Sequence, residues 1–155
     1  MVFEEIYRTY WEKIYRLCMG YVNDEELAKD LAQETFVIVW QQLPKFRNAS
    51  AVSTWIFRIA SNNCLKQIEK QKRIAKVDMP AEIADAPHTD IENKTKFLYQ
   101  CISQLPEIDR IIISLELEDV RQAEIAQITG LSEANIRVKI HRIKEKLVQN
   151  FKNYE

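Results

Sequence analysis

An all-α protein of two small helical domains joined by a flexible linker, the C-terminal one containing a helix-turn-helix, is expected from three features of this chain. It holds two glycines in 155 residues, whereas strands and hairpins lean on Gly-containing turns. Apolar residues recur at helical spacing on both sides of its middle. Between about Ile74 and Asp90 that periodicity disappears into "KVDMPAEIADAPHTD", whose two prolines and several acids have a linker's composition. The expected boundaries are 1–75 for the first domain, 76–90 for the linker and 91–155 for the second domain.

The first helix is expected from about Val2 to Tyr21, with Ile6, Tyr10, Ile14 and Leu17 along one side and Gly20 at its end. Asp24 can cap the second helix, and Glu25 and Glu26 favour its positive end. That helix runs to about Leu43 and stops before Pro44. Leu27, Leu31 and Ile38 share one stripe while Phe36, Val39 and Leu43 share another, so it lies inside a bundle. Its remaining strip is Asp30, Gln33, Glu34, Val37 and Gln41. Periodicity alone leaves open whether this strip meets solvent or a partner.

"PKFRNAS" reads as a loop, with Ser50 as the cap of a third helix reaching about Arg73. This helix is expected to bury Val52, Trp55, Ile56 and Ile59, with Phe57, Ala60 and Ile68 on an adjoining stripe. Arg58, Ser61, Asn62 and Lys66 remain available, and "KQIEKQKR" ends the element in positive charge. Phe46 beside Arg47, ahead of a basic helix, suits unstacked single-stranded DNA.

Regular structure resumes near Ile91 with a helix to Leu105, and Pro106 suits the first turn of the next. The stretch "EIAQITGLSEANIRVKIHRIKEKL" then holds a short helix, a turn at Gly130 and a longer basic helix. On a wheel at 100° per residue, Ile136, Ile140, Ile143 and Leu147 form one stripe. Ala134, Val138, His141, Arg142 and Glu145 gather opposite, flanked by Arg137 and Asn135. Ser132 can cap this helix, and Ala126 is small enough for two helices to approach closely. One helix that braces and a second that presents a basic face are what reading a major groove requires. Arg137 or Arg142 could read guanine, Val138 could touch a thymine methyl, and the lysines could reach phosphates.

A net charge of −1 conceals segregation: residues 1–43 carry −4, 44–76 carry +7, 77–119 carry −7 and 120–155 carry +3. Two basic blocks, each on an expected helix, suggest two contacts with a polyanion. Cys18, Cys64 and Cys101 are scattered, with no CxxC pair and only two histidines in the chain, which argues against zinc and for buried free thiols in a reducing cytoplasm. There is no phosphate-cradling glycine loop and no evident catalytic partner for His88 or His141, so neither an enzyme nor a cofactor is expected. No apolar run approaches membrane-spanning length, and the start "MVFEEIYRTYW" is unlike a signal peptide.

Asp30 to Arg73, with "DLAQETFVIVW", "FRNASAVSTWIFRIASN" and the basic run, resembles region two of bacterial sigma factors of the extracytoplasmic-function group in the sigma-70 family. "LPEIDRIIISLELEDVRQAEIAQITGLSEANIRVKIHRIKEKL" is similar to that group's region four. The resemblance implies a protein that joins core RNA polymerase and directs it to promoters. It implies polymerase docking through Asp30, Leu31, Gln33, Glu34, Phe36, Trp40 and Gln41. Melting and holding of the minus-ten element would fall to Phe46, Arg47, Ser50, Ser53, Thr54, Arg58, Asn62 and Lys66. The minus-thirty-five duplex would be read by Arg137, Val138, Lys139, His141 and Arg142. An anti-sigma factor is a further implied partner. The chain departs from the group in a glycine-free "LELEDVRQAEIA", in Asn135 and in Val138, which bear on promoter sequence. The alternative is a stand-alone helix-turn-helix regulator acting without polymerase.

Overall fold

The structure, a computed structural model, describes residues 2–48, 50–74 and 90–154. The expected linker at 76–90 therefore lies almost wholly outside the described residues, and the side chain of Ile68 does too. Seven α-helices and no strand are present among the described residues. They are α1 (Phe3–Val22), α2 (Glu25–Gln42), α3 (Val52–Ile74), α4 (Asp90–Ser103), α5 (Glu107–Leu117), α6 (Gln122–Thr129) and α7 (Glu133–Lys152). None is long and apolar enough to cross a membrane.

Local signals account for most boundaries. Asp24 Oδ1 accepts from the Leu27 N–H at 3.0 Å, the cap expected for α2. A single 3-10 turn, Leu43–Lys45, follows α2 and contains Pro44. Ser132 Oγ accepts from Asn135 N–H at 3.1 Å at the start of α7, and Gly130 turns the chain with φ of 81°. Two expectations need correcting. Ser50 stands one residue too early to precede α3 directly: the Ala51 carbonyl already accepts from Trp55. Pro106 sits just before the first turn of α5 rather than in it, its carbonyl accepting from Arg110 N–H at 3.1 Å.

α1, α2 and α3 pack around Ile14, Leu17, Tyr21, Leu31, Phe36, Val39, Ile56 and Ala60, all buried. α4 to α7 pack around a mostly isoleucine core, with Ile102, Ile111, Ile112, Ile125 and Ile136 fully enclosed. Thr35 and Asn63 both bond to the Leu31 carbonyl, at 2.8 and 3.2 Å, and tie α3 across α2. The thiols of Cys18 and Cys64 lie 3.8 Å apart between α1 and α3. Their contact, followed by burial, raises the Cys18 thiol well above the ordinary cysteine range, so it stays protonated and shielded.

The two units pack directly on each other and share one continuous buried cluster. α1 lies against α4 and α5, and α3 lies against α5 and α6. Gly20 is where this matters most. It is not the end of α1, a role taken by Asn23 in the left-handed region at φ of 50°. A methyl at Gly20 would instead overlap the Ser114 hydroxyl and come within 3.2 Å of Ser114 Cβ. Its missing side chain lets α1 and α5 touch.

Candidate nucleic-acid interface

α7 presents the two faces expected of it. Ile136, Ile140, Ile143 and Leu147 are buried, and Ala134, Asn135, Arg137, Val138, His141, Arg142 and Glu145 are exposed. Val138, at 46% exposure, is an aliphatic side chain held out to solvent among polar neighbours, available to a thymine methyl. The cations differ in availability. Lys139 is half-buried with its ammonium 3.5 Å from Asp109, and Lys144 pairs with Glu116 at 2.8 Å. Both lysines, expected to be free for phosphate, are thus partly neutralised inside their own unit. His141 Nε2 lies 3.1 Å from Glu145 Oε1. Arg137, Arg142 and Lys146 carry no ion pair among the described contacts, which makes them the strongest field on this face.

The loop and α3 form the second candidate DNA surface. Arg47, Asn62 and Lys66 are exposed, and Ser50, Ser53, Phe46 and Arg58 are half-buried. Phe46, expected to be free for a base, stacks on Trp55 with ring centroids 4.5 Å apart and planes 25° from parallel. Trp55, expected in the core, is half-buried at its edge and provides that platform. Thr54 and Ser61 are only 2% exposed, against the expectation that both are available. Together with Arg58 they fall on one stripe of α3. Thr54 donates to Glu124 Oε2 at 3.3 Å, and Arg58 donates to the Gln127 carbonyl at 3.2 Å. Both acceptors belong to α6.

The third surface is the outer side of α2. Asp30, Gln33, Glu34, Val37, Trp40 and Gln41 are exposed on it, Trp40 by 62% and Val37 by 54%. Leu31 and Phe36 are not on it. Leu31 is enclosed by the bundle, and Phe36 meets the rings of Tyr7 and Trp11 at 5.0 and 5.9 Å. They support the face from beneath and have no surface to offer a partner. Four carboxylate and amide residues around an exposed tryptophan and valine make a mixed patch that a partner can cover.

Sequence reasoning missed the residues that join the units. Arg16 makes a two-pronged pair with Glu118, Nε to Oε2 at 2.8 Å and Nη2 to Oε1 at 2.7 Å. Hydrogen bonding to Glu118 raises the Arg16 guanidinium above its already high range, so it is charged at every working pH. Arg110 donates to the Leu105 and Tyr21 carbonyls at 2.8 and 3.3 Å, linking α5 to the end of α1. Burial raises the Tyr99 hydroxyl, with Glu118 adding to the effect. Each partner lies in the other half of the chain, so no local pattern marks them. Among the described residues no cluster of His, Cys, Asp and Glu could hold a metal ion.

Three comparisons bear on what these surfaces meet. Residues 6–74 match the family described as sigma-70 region 2, and residues 98–147 match sigma-70, region 4. The RNA polymerase sigma-H factor of Pseudomonas aeruginosa is 31% identical over 159 residues, covering 92% of this chain and 82% of that protein. The ECF RNA polymerase sigma factor SigM of Bacillus subtilis is 28% identical over 154 residues, covering 95% and 93%. Among solved structures, the sigma factor RpoE of Bartonella quintana, in complex with the anti-sigma factor NepR, superposes with a TM-score of 0.81. That match has 19% identity and covers 97% of this chain and 96% of the other, so it spans both helical units.

Proposed function

This chain belongs to the sigma-70 family, in its extracytoplasmic-function group, and from that membership we propose a function for each of its three surfaces. The protein is a transcription initiation factor without catalytic activity: it binds core RNA polymerase and directs it to specific promoters. In the proposed division of labour the outer face of α2 docks on polymerase through Trp40, Val37, Asp30, Gln33, Glu34 and Gln41. The loop and α3 hold the opened minus-ten strand, with Arg47, Arg58, Asn62 and Lys66 on its phosphates and the Phe46–Trp55 stack beside its bases. α7 reads the minus-thirty-five duplex, with Arg137 and Arg142 as base or phosphate readers and Val138 as an apolar contact. The protein works where polymerase works, in the cytoplasm, and an anti-sigma factor is its proposed regulator.

The observation that carries this reading is the coexistence of three separate surfaces on one small chain. A stand-alone regulator needs a DNA-reading helix and a self-complementary face, and it has no use for an exposed tryptophan among acids on a distant helix. Neither DNA surface is extensive, so each binds modestly. Carrying both on one polymerase makes the second contact nearly intramolecular. The purified chain is therefore expected to bind duplex promoter weakly by itself. With core polymerase it should yield a salt-sensitive complex whose minus-ten thymines react with permanganate. Tight binding to a symmetric operator by the chain alone would favour the regulator instead.

A further inference from the structure

Glu145 carries the wrong charge for the surface it occupies. Glu133 sits in the first turn of α7, where a carboxylate favours the positive end of the helix, and Glu145 is the one other acid in that helix. Its side chain is 68% exposed, on the strip that carries Val138, His141 and Arg142. The acids that reach α7 from α5 are placed differently. Asp109 and Glu116 are partly covered and pair with Lys139 and Lys144, so they brace the unit from the flank. Glu145 has no such bracing role, and a carboxylate turned towards DNA is repelled by every phosphate.

Base edges offer such a group a reason to be there. An ionised carboxylate can only accept hydrogen bonds. In the major groove guanine shows the acceptors O6 and N7, and thymine shows the acceptor O4. Adenine sets its acceptor N7 beside the N6 amino group, whereas cytosine shows the N4 amino group alone. Cytosine is therefore the base that a carboxylate suits best. Glu145 is within reach of the groove: it lies about 10.5 Å along the axis from Val138, inside a groove about 12 Å wide. His141, one turn back, engages one carboxylate oxygen, with Nε2 3.1 Å from Oε1. Among the described contacts Oε2 is left over.

We infer that Glu145 determines specificity in the minus-thirty-five element: steadied by His141, its carboxylate accepts from cytosine N4 at one base pair and turns away guanine and thymine there. The inference rests on the duplex-reading role proposed for α7. Arg142 on the same strip has the opposite selectivity, since its guanidinium offers only donors and suits guanine. The face thus holds a donor and an acceptor within one turn. Glu145 lowers affinity for DNA in general, and lowers it most where the cytosine is missing, which is selection by exclusion.

The test uses holoenzyme formed from the full chain and core polymerase, on a promoter located by run-off mapping. Its upstream element is randomised, and a barcode in the transcribed region reports which templates were used. The wild type should favour cytosine at one position by roughly tenfold. Glu145→Ala should flatten that position alone, to within about twofold. Glu145→Gln should move the preference there towards adenine, because a carboxamide can serve both N6 and N7. Output from templates without the cytosine should rise about threefold with Glu145→Ala at low salt, as repulsion of the phosphates is removed.

A side chain that only supported the helix would weaken all positions together, and that outcome overturns the inference. So does a wild type without a cytosine position, or a cytosine preference that Glu145→Ala leaves unchanged. Arg142→Ala, run in parallel, separates this failure from a larger one. If it alters a position of its own while Glu145→Ala alters none, only the role of Glu145 falls. If neither variant changes any position, duplex reading by α7 falls with it.

Discussion

Trp40→Ala is expected to lower affinity for core RNA polymerase by roughly 30- to 300-fold, with little change in stability. The side chain is 62% exposed and Val37 beside it 54%, so the truncation opens no cavity in the bundle. Substitutions of that kind usually stay within about 0.5 kcal/mol. Tryptophans that anchor an interface commonly cost about 2 kcal/mol or more when truncated, because they fill a desolvated pocket on the partner. Around Trp40 the exposed Asp30, Glu34, Gln33 and Gln41 form a polar rim. Reversing the charge of Asp30 or Glu34 should act mainly on association rate and salt dependence. Equilibrium binding of labelled protein to core enzyme, with thermal unfolding as the control, measures the effect. Affinity within threefold of the wild type would remove α2 from the docking assignment.

Arg142→Ala is expected to reduce transcription from promoters that depend on the minus-thirty-five element by roughly 10- to 100-fold. An arginine bidentate to guanine is worth about 1–3 kcal/mol of discrimination. Arg142 is exposed on α7 and, among the described residues, has no carboxylate beside it such as those that engage Lys139, Lys144 and His141. Arg137→Ala should follow it. Lys139→Ala should have a smaller effect, since that ammonium is shared with Asp109. Core-polymerase affinity should remain as in the wild type. An Arg142→Ala protein that lost polymerase binding while its promoter preference survived would reverse the roles of the two units.

How far the chain could be read in advance depended on the range of the forces involved. The stripe Ile136, Ile140, Ile143 and Leu147, the Ser132 cap and the Gly130 turn are encoded within a few residues of each other, and the structure reproduces them. Asp24 as a cap is local in the same sense. The resemblance set Leu31 and Phe36 among the docking residues, yet both are buried, as their apolar stripes require, and Phe36 is covered by Tyr7 and Trp11 of α1 from outside the motif. Ser61 and Thr54 were expected to be free and are buried, Thr54 beneath Glu124 of the second unit.

Gly20 shows the limit most clearly. Glycine near a helix end reads as a stop, yet this helix continues to Val22 and the glycine serves Ser114 in the other unit. The pairing of Arg16 with Glu118 is likewise absent from any local pattern. Contacts between units depend on tertiary geometry, which helical periodicity does not carry. The exposed faces of α2 and α7 were legible, whereas the burial of Thr54 and Ser61 on α3 was not.

Run-off transcription tests the central claim most directly: core RNA polymerase is combined with the purified chain on genomic fragments, and the RNA 5′ ends are mapped. The account predicts new, discrete start sites that require the chain, lie downstream of a shared pair of elements, and disappear with Trp40→Ala. Start sites identical with and without the chain, at concentrations where the two proteins associate, would contradict it.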